Sequence, residues 1–116
     1  MITSNSPANA PSVSLPALAC VVGAISPAER AGHFALLKRL FGESVLERRN
    51  IASPEEGYAF RFDADAFSDV SQFIRNERLC CPFLTFVVEL SPRGGPLWLS
   101  LSGPGGTRAF LDAELP

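Results

Sequence analysis

Asn76-Glu77-Arg78-Leu79-Cys80-Cys81-Pro82-Phe83 is the stretch from which the fold can be read in both directions. Pro82 disfavours helical backbone at the residue before it, so a helix arriving from the N-terminal side ends around Cys80 and an extended segment follows. Upstream, Phe67, Val70, Phe73, Ile74 and Cys81 fall on one broad face at helical spacing, which predicts a helix from about Asp65 to Cys80. Downstream, Leu84 to Leu90 reads as a strand, Ser91-Pro92-Arg93-Gly94-Gly95 as a turn, and Leu97 to Leu101 as another strand. Gly103-Pro104 then opens a last short helix carrying Phe110 and Leu111.

Toward the N-terminus, Tyr58, Phe60 and Phe62 alternate with Ala59 and Arg61 as a half-buried strand should. The turn Ser53-Pro54-Glu55-Glu56-Gly57 joins it to an edge strand over Ser44 to Ile51, where Arg48 and Arg49 discourage edge-to-edge pairing. Ser26 followed by Pro27 starts a helix that runs to about Phe41 and stops near Gly42. Ala31, Phe34, Leu37 and Phe41 make its expected buried stripe, with His33 beside that stripe as a boundary residue. Leu18 to Ile25 is apolar at almost every position, which predicts a central strand covered on both faces. The expected order is β-α-β-β-α-β-β-α, an α+β fold whose first six elements match the ferredoxin-like split βαβ sheet, with an added C-terminal strand and helix. In that arrangement Val21, Val87 and Trp98 lie on the sheet face away from the helices, and a homodimer is the economical way to cover them.

The chain has 116 residues, 47% hydrophobic and 19% charged, which fits one hydrophobic core rather than two. Residues 1–16 hold three Pro, four Ser and no charged side chain, so they read as a flexible N-terminal tail before a single α+β domain over residues 17–116. Ten basic against twelve acidic residues, with no basic run, argue against nucleic acid as a partner. No segment has the basic start and apolar stretch of a secretion signal, or the roughly 20 apolar residues that span a bilayer. Three cysteines, an odd number, fit thiols in a cytoplasm better than a disulfide framework.

The chemistry on offer centres on the thiols. Glu77 falls near the middle of the apolar face of its helix, three residues before Cys80 and four before Cys81, both neighbour spacings on a helix. A buried carboxylate has to be paired, protonated or bound to a ligand, and Arg61 and Arg30 are the expected ion-pair partners. Cys20, in the expected first strand, can join the pair in a three-thiol cluster. Thiolates suit Zn(II), Cu(I), Hg(II) or a metalloid, so Cys20, Cys80, Cys81 and Glu77 form the candidate metal set. A helix C-terminus disfavours a thiolate, which counts against either cysteine as a nucleophile. The alternative is a non-enzymatic dimeric module that binds a protein or small ligand and whose cysteines are packing residues. A disulfide between Cys20 and one of the pair is a third reading. Enzymatic activity has the least support, since His33 has no catalytic neighbour in the sequence. Ser102-Gly103-Pro104-Gly105-Gly106-Thr107 is a capped Gly-Pro turn rather than a phosphate loop, because it lacks the lysine of one.

The run Glu77-Arg78-x-Cys80-Cys81-Pro82-Phe83-x-x-Phe86, with Leu97-Trp98-Leu99 and Gly103-Pro104-x-Gly106-x-x-x-Phe110-Leu111 after it, resembles a group of small bacterial proteins that share an ERxCCPF stretch. Ala19-Cys20, Ala24 and Pro27-Ala28-Glu29-Arg30 extend the likeness over most of residues 17–115. That resemblance brings no established activity with it.

Overall fold

Residues with alternating apolar and polar character set the sheet. A computed structural model of the protein describes residues 21–116 and contains four antiparallel strands: β1 (Glu47–Ile51), β2 (Glu56–Phe62), β3 (Thr85–Leu90) and β4 (Leu97–Gly103). They lie in the order β1-β2-β4-β3. The register pairs Tyr58 with Leu101, Phe60 with Leu99 and Phe62 with Leu97, and all six side chains are buried on one face. Against that face pack three α-helices among the described residues: α1 (Pro27–Arg39), α2 (Phe67–Cys80) and α3 (Thr107–Glu114). Phe41, on a wide π-type turn (Leu40–Ser44) that continues α1, sits edge-on to Phe60, Phe62 and Phe73 and ties the first two helices to the sheet.

Residues 18–20 of the expected first strand lie outside the described residues, and so does the expected tail. The described remainder of that strand is a 3-10 turn over Val22–Ala24. Val21 N–H donates to the carbonyl of Cys80 at 2.6 Å, so the backbone here satisfies the end of α2, and among the described residues it pairs with no strand. The place beside β2 that the split βαβ order gives to the first strand is filled by β4. β4 suits it better, because Leu97, Leu99 and Leu101 point inward while Trp98, Ser100 and Ser102 point outward, and it hydrogen-bonds on both edges.

The stripe expected on α1 is also rotated. His33, Leu36, Leu37 and Leu40 are buried, whereas Phe34 is 57% exposed and Ala31 is exposed. On α2, Val70, Phe73, Asn76, Glu77 and Cys80 face inward, and Phe67 stays largely outside. Val87 and Trp98 do occupy the sheet face away from the described helices, opposite Ser100 and Glu89 in register. That face is not bare: Arg49 stacks over the Trp98 ring at 4.4 Å and pairs with Glu47, which also accepts from Arg61.

α3 is held at its start by Glu56, whose Oε2 accepts from the backbone N–H of Gly106 and of Arg108 at 2.9 Å each. The Phe83 and Phe110 rings meet edge to face with centroids 4.9 Å apart, and Leu111 is buried. These contacts bring the C-terminal turn of α3 to the end of α2.

Close approach of β2 and β4 demands glycine at position 57, where an added Cβ would fall 1.8 Å from the carbonyl oxygen of Leu101. Gly57→Ala is expected to lower stability by more than about 2 kcal/mol in chemical denaturation, because backbone rather than a flexible side chain must move.

Candidate metal centre

α2 ends where the proline rule places its end. Cys80 is its last residue, and Cys81 leaves the helix at φ −125° and ψ 72° while its N–H still donates to the carbonyl of Glu77. That departure turns two consecutive side chains the same way. The sulfurs of Cys80 and Cys81 lie 3.6 Å apart, and both residues are buried.

Glu77, one turn earlier, is fully buried and faces them. Cys81 Sγ donates to its Oε2 at 3.3 Å, and Cys80 Sγ to its Oε1 at 3.7 Å. From α3, Glu114 brings both carboxylate oxygens to 3.9 Å from Cys81 Sγ. One donor atom each from Glu77, Cys80, Cys81 and Glu114 all lie within 4.8 Å of one another. Three of these four residues are named by the sequence; Glu114 is not. Its signal was faint but present, since it stands three residues after the buried Leu111 and so on the inward side of a short helix. Cys20, the fourth residue of the expected set, lies outside the described residues.

The partner of Glu77 is neither Arg61 nor Arg30. Arg61 donates to Glu47, and Arg30 donates its Nε–H to the carbonyl of Ile25 at 3.1 Å. His33 takes the role, with Nε2 3.0 Å from Glu77 Oε1 and the two side chains 3% and 0% exposed. The ring is fixed in place by near-parallel stacking on Phe73, centroids 6.2 Å apart. This corrects the boundary placement of His33. The rotation of α1 that buries His33 in place of Phe34 is what lets a carboxylate sit inside at all.

Burial pushes the Glu77 carboxyl up, and hydrogen bonds from His33, with the Glu114 carboxyl and from Cys81, joined by the charge on His33, outweigh it. The net direction is below the ordinary carboxylate range. Glu77 is therefore an anion that only accepts, which places the proton of this contact on His33 Nε2. Thiol ionisation is disfavoured beside this anion and the carbonyl end of α2, and a bound cation is what would reverse that balance. The arrangement is poor for a bare nucleophile and good for a chelate. No family profile, curated protein or solved structure matches this chain. Among the described residues no helix is long and apolar enough to cross a membrane.

Because the folded-state value for Glu77 is depressed, its contribution to stability is complete above the unfolded carboxyl range and is lost as pH falls through the folded value. The stability advantage of the wild type over Glu77→Gln in urea unfolding should thus shrink between about pH 6 and about pH 3. A constant advantage over that interval would mean that folding leaves the carboxyl unshifted, and a growing one that burial holds it protonated in the folded protein.

Proposed function

We propose that this protein binds a single tetrahedrally coordinated metal ion, zinc by preference, through Cys80, Cys81, Glu77 and Glu114. The observation that carries the reading is the sulfur separation. Two thiolates about 2.3 Å from one tetrahedral ion stand about 3.8 Å apart, and a thiolate and a carboxylate oxygen on the same ion about 3.5 Å apart. The sulfurs here are 3.6 Å apart, and Cys81 Sγ is 3.3 Å from Glu77 Oε2, so the donors need little rearrangement to close on an ion. A linear two-thiolate ion, the habit of Cu(I) and Hg(II), would hold its sulfurs at twice the bond length and leave both carboxylates idle. The mixed sulfur and oxygen set favours the borderline ion.

Cys20 is proposed as an alternative thiolate that replaces one of the two carboxylates. Its sequence neighbour Val21 is tied to the carbonyl of Cys80, which supports that role. His33 orients Glu77 from behind, as outer hydrogen-bond partners commonly do for metal ligands. Since three of the four donors stand within the ERxCCPF stretch, the same reading extends to the bacterial proteins that share it. Self-association has less to cover than the sequence implies, because Arg49 already shields Trp98.

Zinc competition against a chromophoric chelator is expected to give one ion per chain with submicromolar affinity, and cobalt substitution should produce the intense visible bands of a tetrahedral thiolate site. Cys80→Ser with Cys81→Ser should weaken zinc by at least 100-fold, and Glu114→Gln by roughly 10-fold. Glu114 is only half-buried, so its variant tests the site without disturbing the core. Unchanged affinity in both variants would sink the proposal.

A further inference from the structure

Arg48 stands on the inner side of the sheet, an unexpected place for a charge. Residues directly opposed across two strands share a face, and Arg48 is paired with Phe60, so it belongs to the face that Tyr58, Phe60 and Phe62 line. Its neighbours Glu47 and Arg49 lie on the outer face and pair with one another. Among the described residues no carboxylate lies within ion-pair distance of Arg48. Its guanidinium rests instead over the Tyr58 ring, Cζ 4.6 Å from the centroid.

The same ring is gripped at its tip. Tyr58 Oη donates to Asp112 Oδ1, on α3, at 2.6 Å. That bond, and then burial, hold the phenol above its ordinary range, so at neutral pH Tyr58 donates and Asp112 accepts. An arginine and an aspartate therefore engage one buried ring without pairing with each other.

Both are exposed, and both line a cavity of about 500 Å³ bounded by β1, β2 and α3. Buried Phe41, Phe60 and Leu111 line it too, and the two phenylalanine rings meet edge-on there with centroids 5.0 Å apart. Apolar walls with a few placed polar groups are the usual makeup of a small-molecule pocket, and the volume falls in the usual range.

The occupant follows from the charges. Arg48 presents a fork of N–H donors suited to a carboxylate, and Asp112 keeps a second oxygen, Oδ2, that accepts no hydrogen bond among the described residues. A simple acid would place its carboxylate near Asp112 with nothing to offset the repulsion, and a simple amine would meet Arg48 in the same way. An α-amino acid carries both groups on one carbon, which suits opposite charges that share a ring and do not touch. The aromatic and leucine walls select a large apolar side chain.

We propose that this cavity is a binding site for a free α-amino acid with a large apolar side chain, its carboxylate held by Arg48, its ammonium by Asp112 and its side chain against Phe41, Phe60 and Leu111. The site does not depend on the metal reading, although α3 carries Asp112 for one and Glu114 for the other.

The chain has one tyrosine, so carbon-13 at tyrosine Cζ gives a single resonance, on the ring that both charges engage. Titrating the full chain with L-phenylalanine at constant pH and ionic strength is expected to move that resonance saturably, with a midpoint of about 1 mM or lower. 3-Phenylpropionate lacks the ammonium and phenethylamine lacks the carboxylate, and each should bind at least about 10-fold more weakly. Arg48→Gln should weaken L-phenylalanine at least about 10-fold without weakening phenethylamine. Asp112→Asn keeps an amide oxygen for Tyr58, and should weaken L-phenylalanine to a similar extent without weakening 3-phenylpropionate. Both side chains are exposed, and the comparison of half-ligands needs no variant at all. Three results would overturn the proposal: no saturable shift with L-phenylalanine, a half-ligand that binds as well as L-phenylalanine, or undiminished binding in both folded variants.

Discussion

The hydrogen bond between His33 and Glu77 governs how the two long helices meet the sheet, because a carboxylate on the inner face of α2 is tolerable only where a donor is supplied to it. Supplying it from α1 fixes that helix about its own axis. Leu36, Leu37 and Leu40 then point at the sheet, and Phe34 is turned out to solvent. An apolar contact could have seated Phe34 inside at less local cost, so the rotation is set by a polar group. Deleting either partner leaves an unpaired group in the core, the most expensive kind of local error in a domain of this size.

The same carboxylate organises the other end of the helix. Glu77 meets two convergent sulfurs because Cys80 and Cys81 straddle the point at which the helix stops. On an uninterrupted helix, side chains one residue apart diverge by about 100°, so the two sulfurs would flank Glu77 on opposite sides and point away from one another. Pro82 thus does chemical as well as structural service: by ending the helix it converts a divergent pair into a convergent one. Glu114 arrives from α3 only because Glu56 and the Phe83–Phe110 contact fix the start and flank of that short helix.

Local patterns were legible in the sequence wherever one physical rule dominated. The proline rule found the end of α2, the alternation of Tyr58, Phe60 and Phe62 found β2, and helical spacing put Glu77 with the thiols. What sequence reasoning missed depends on competition between segments. The apolar run that ends at Ile25 looks more like a buried strand than Leu97–Gly103 does, yet β4 holds the inner position because its alternation matches a sheet with one open face. The rotation of α1 was hidden for a similar reason. Hydrophobicity alone ranks Phe34 above His33, and only the position of Glu77 on another element reverses the order. Glu114 escaped notice because a single turn past Leu111 gives almost no periodicity to read.

Cys81 is fully buried, so reagents and ions meet it only when the structure opens around it. The nearest unit that can open is α3, eight residues long and too short to persist as a helix away from the sheet. Exchange at the cluster is consequently a matter of rates before it is one of affinity. The speed with which anything enters or leaves follows the local opening equilibrium of the C-terminal helix, and the Glu56 cap and the Phe110 ring set that equilibrium from a distance.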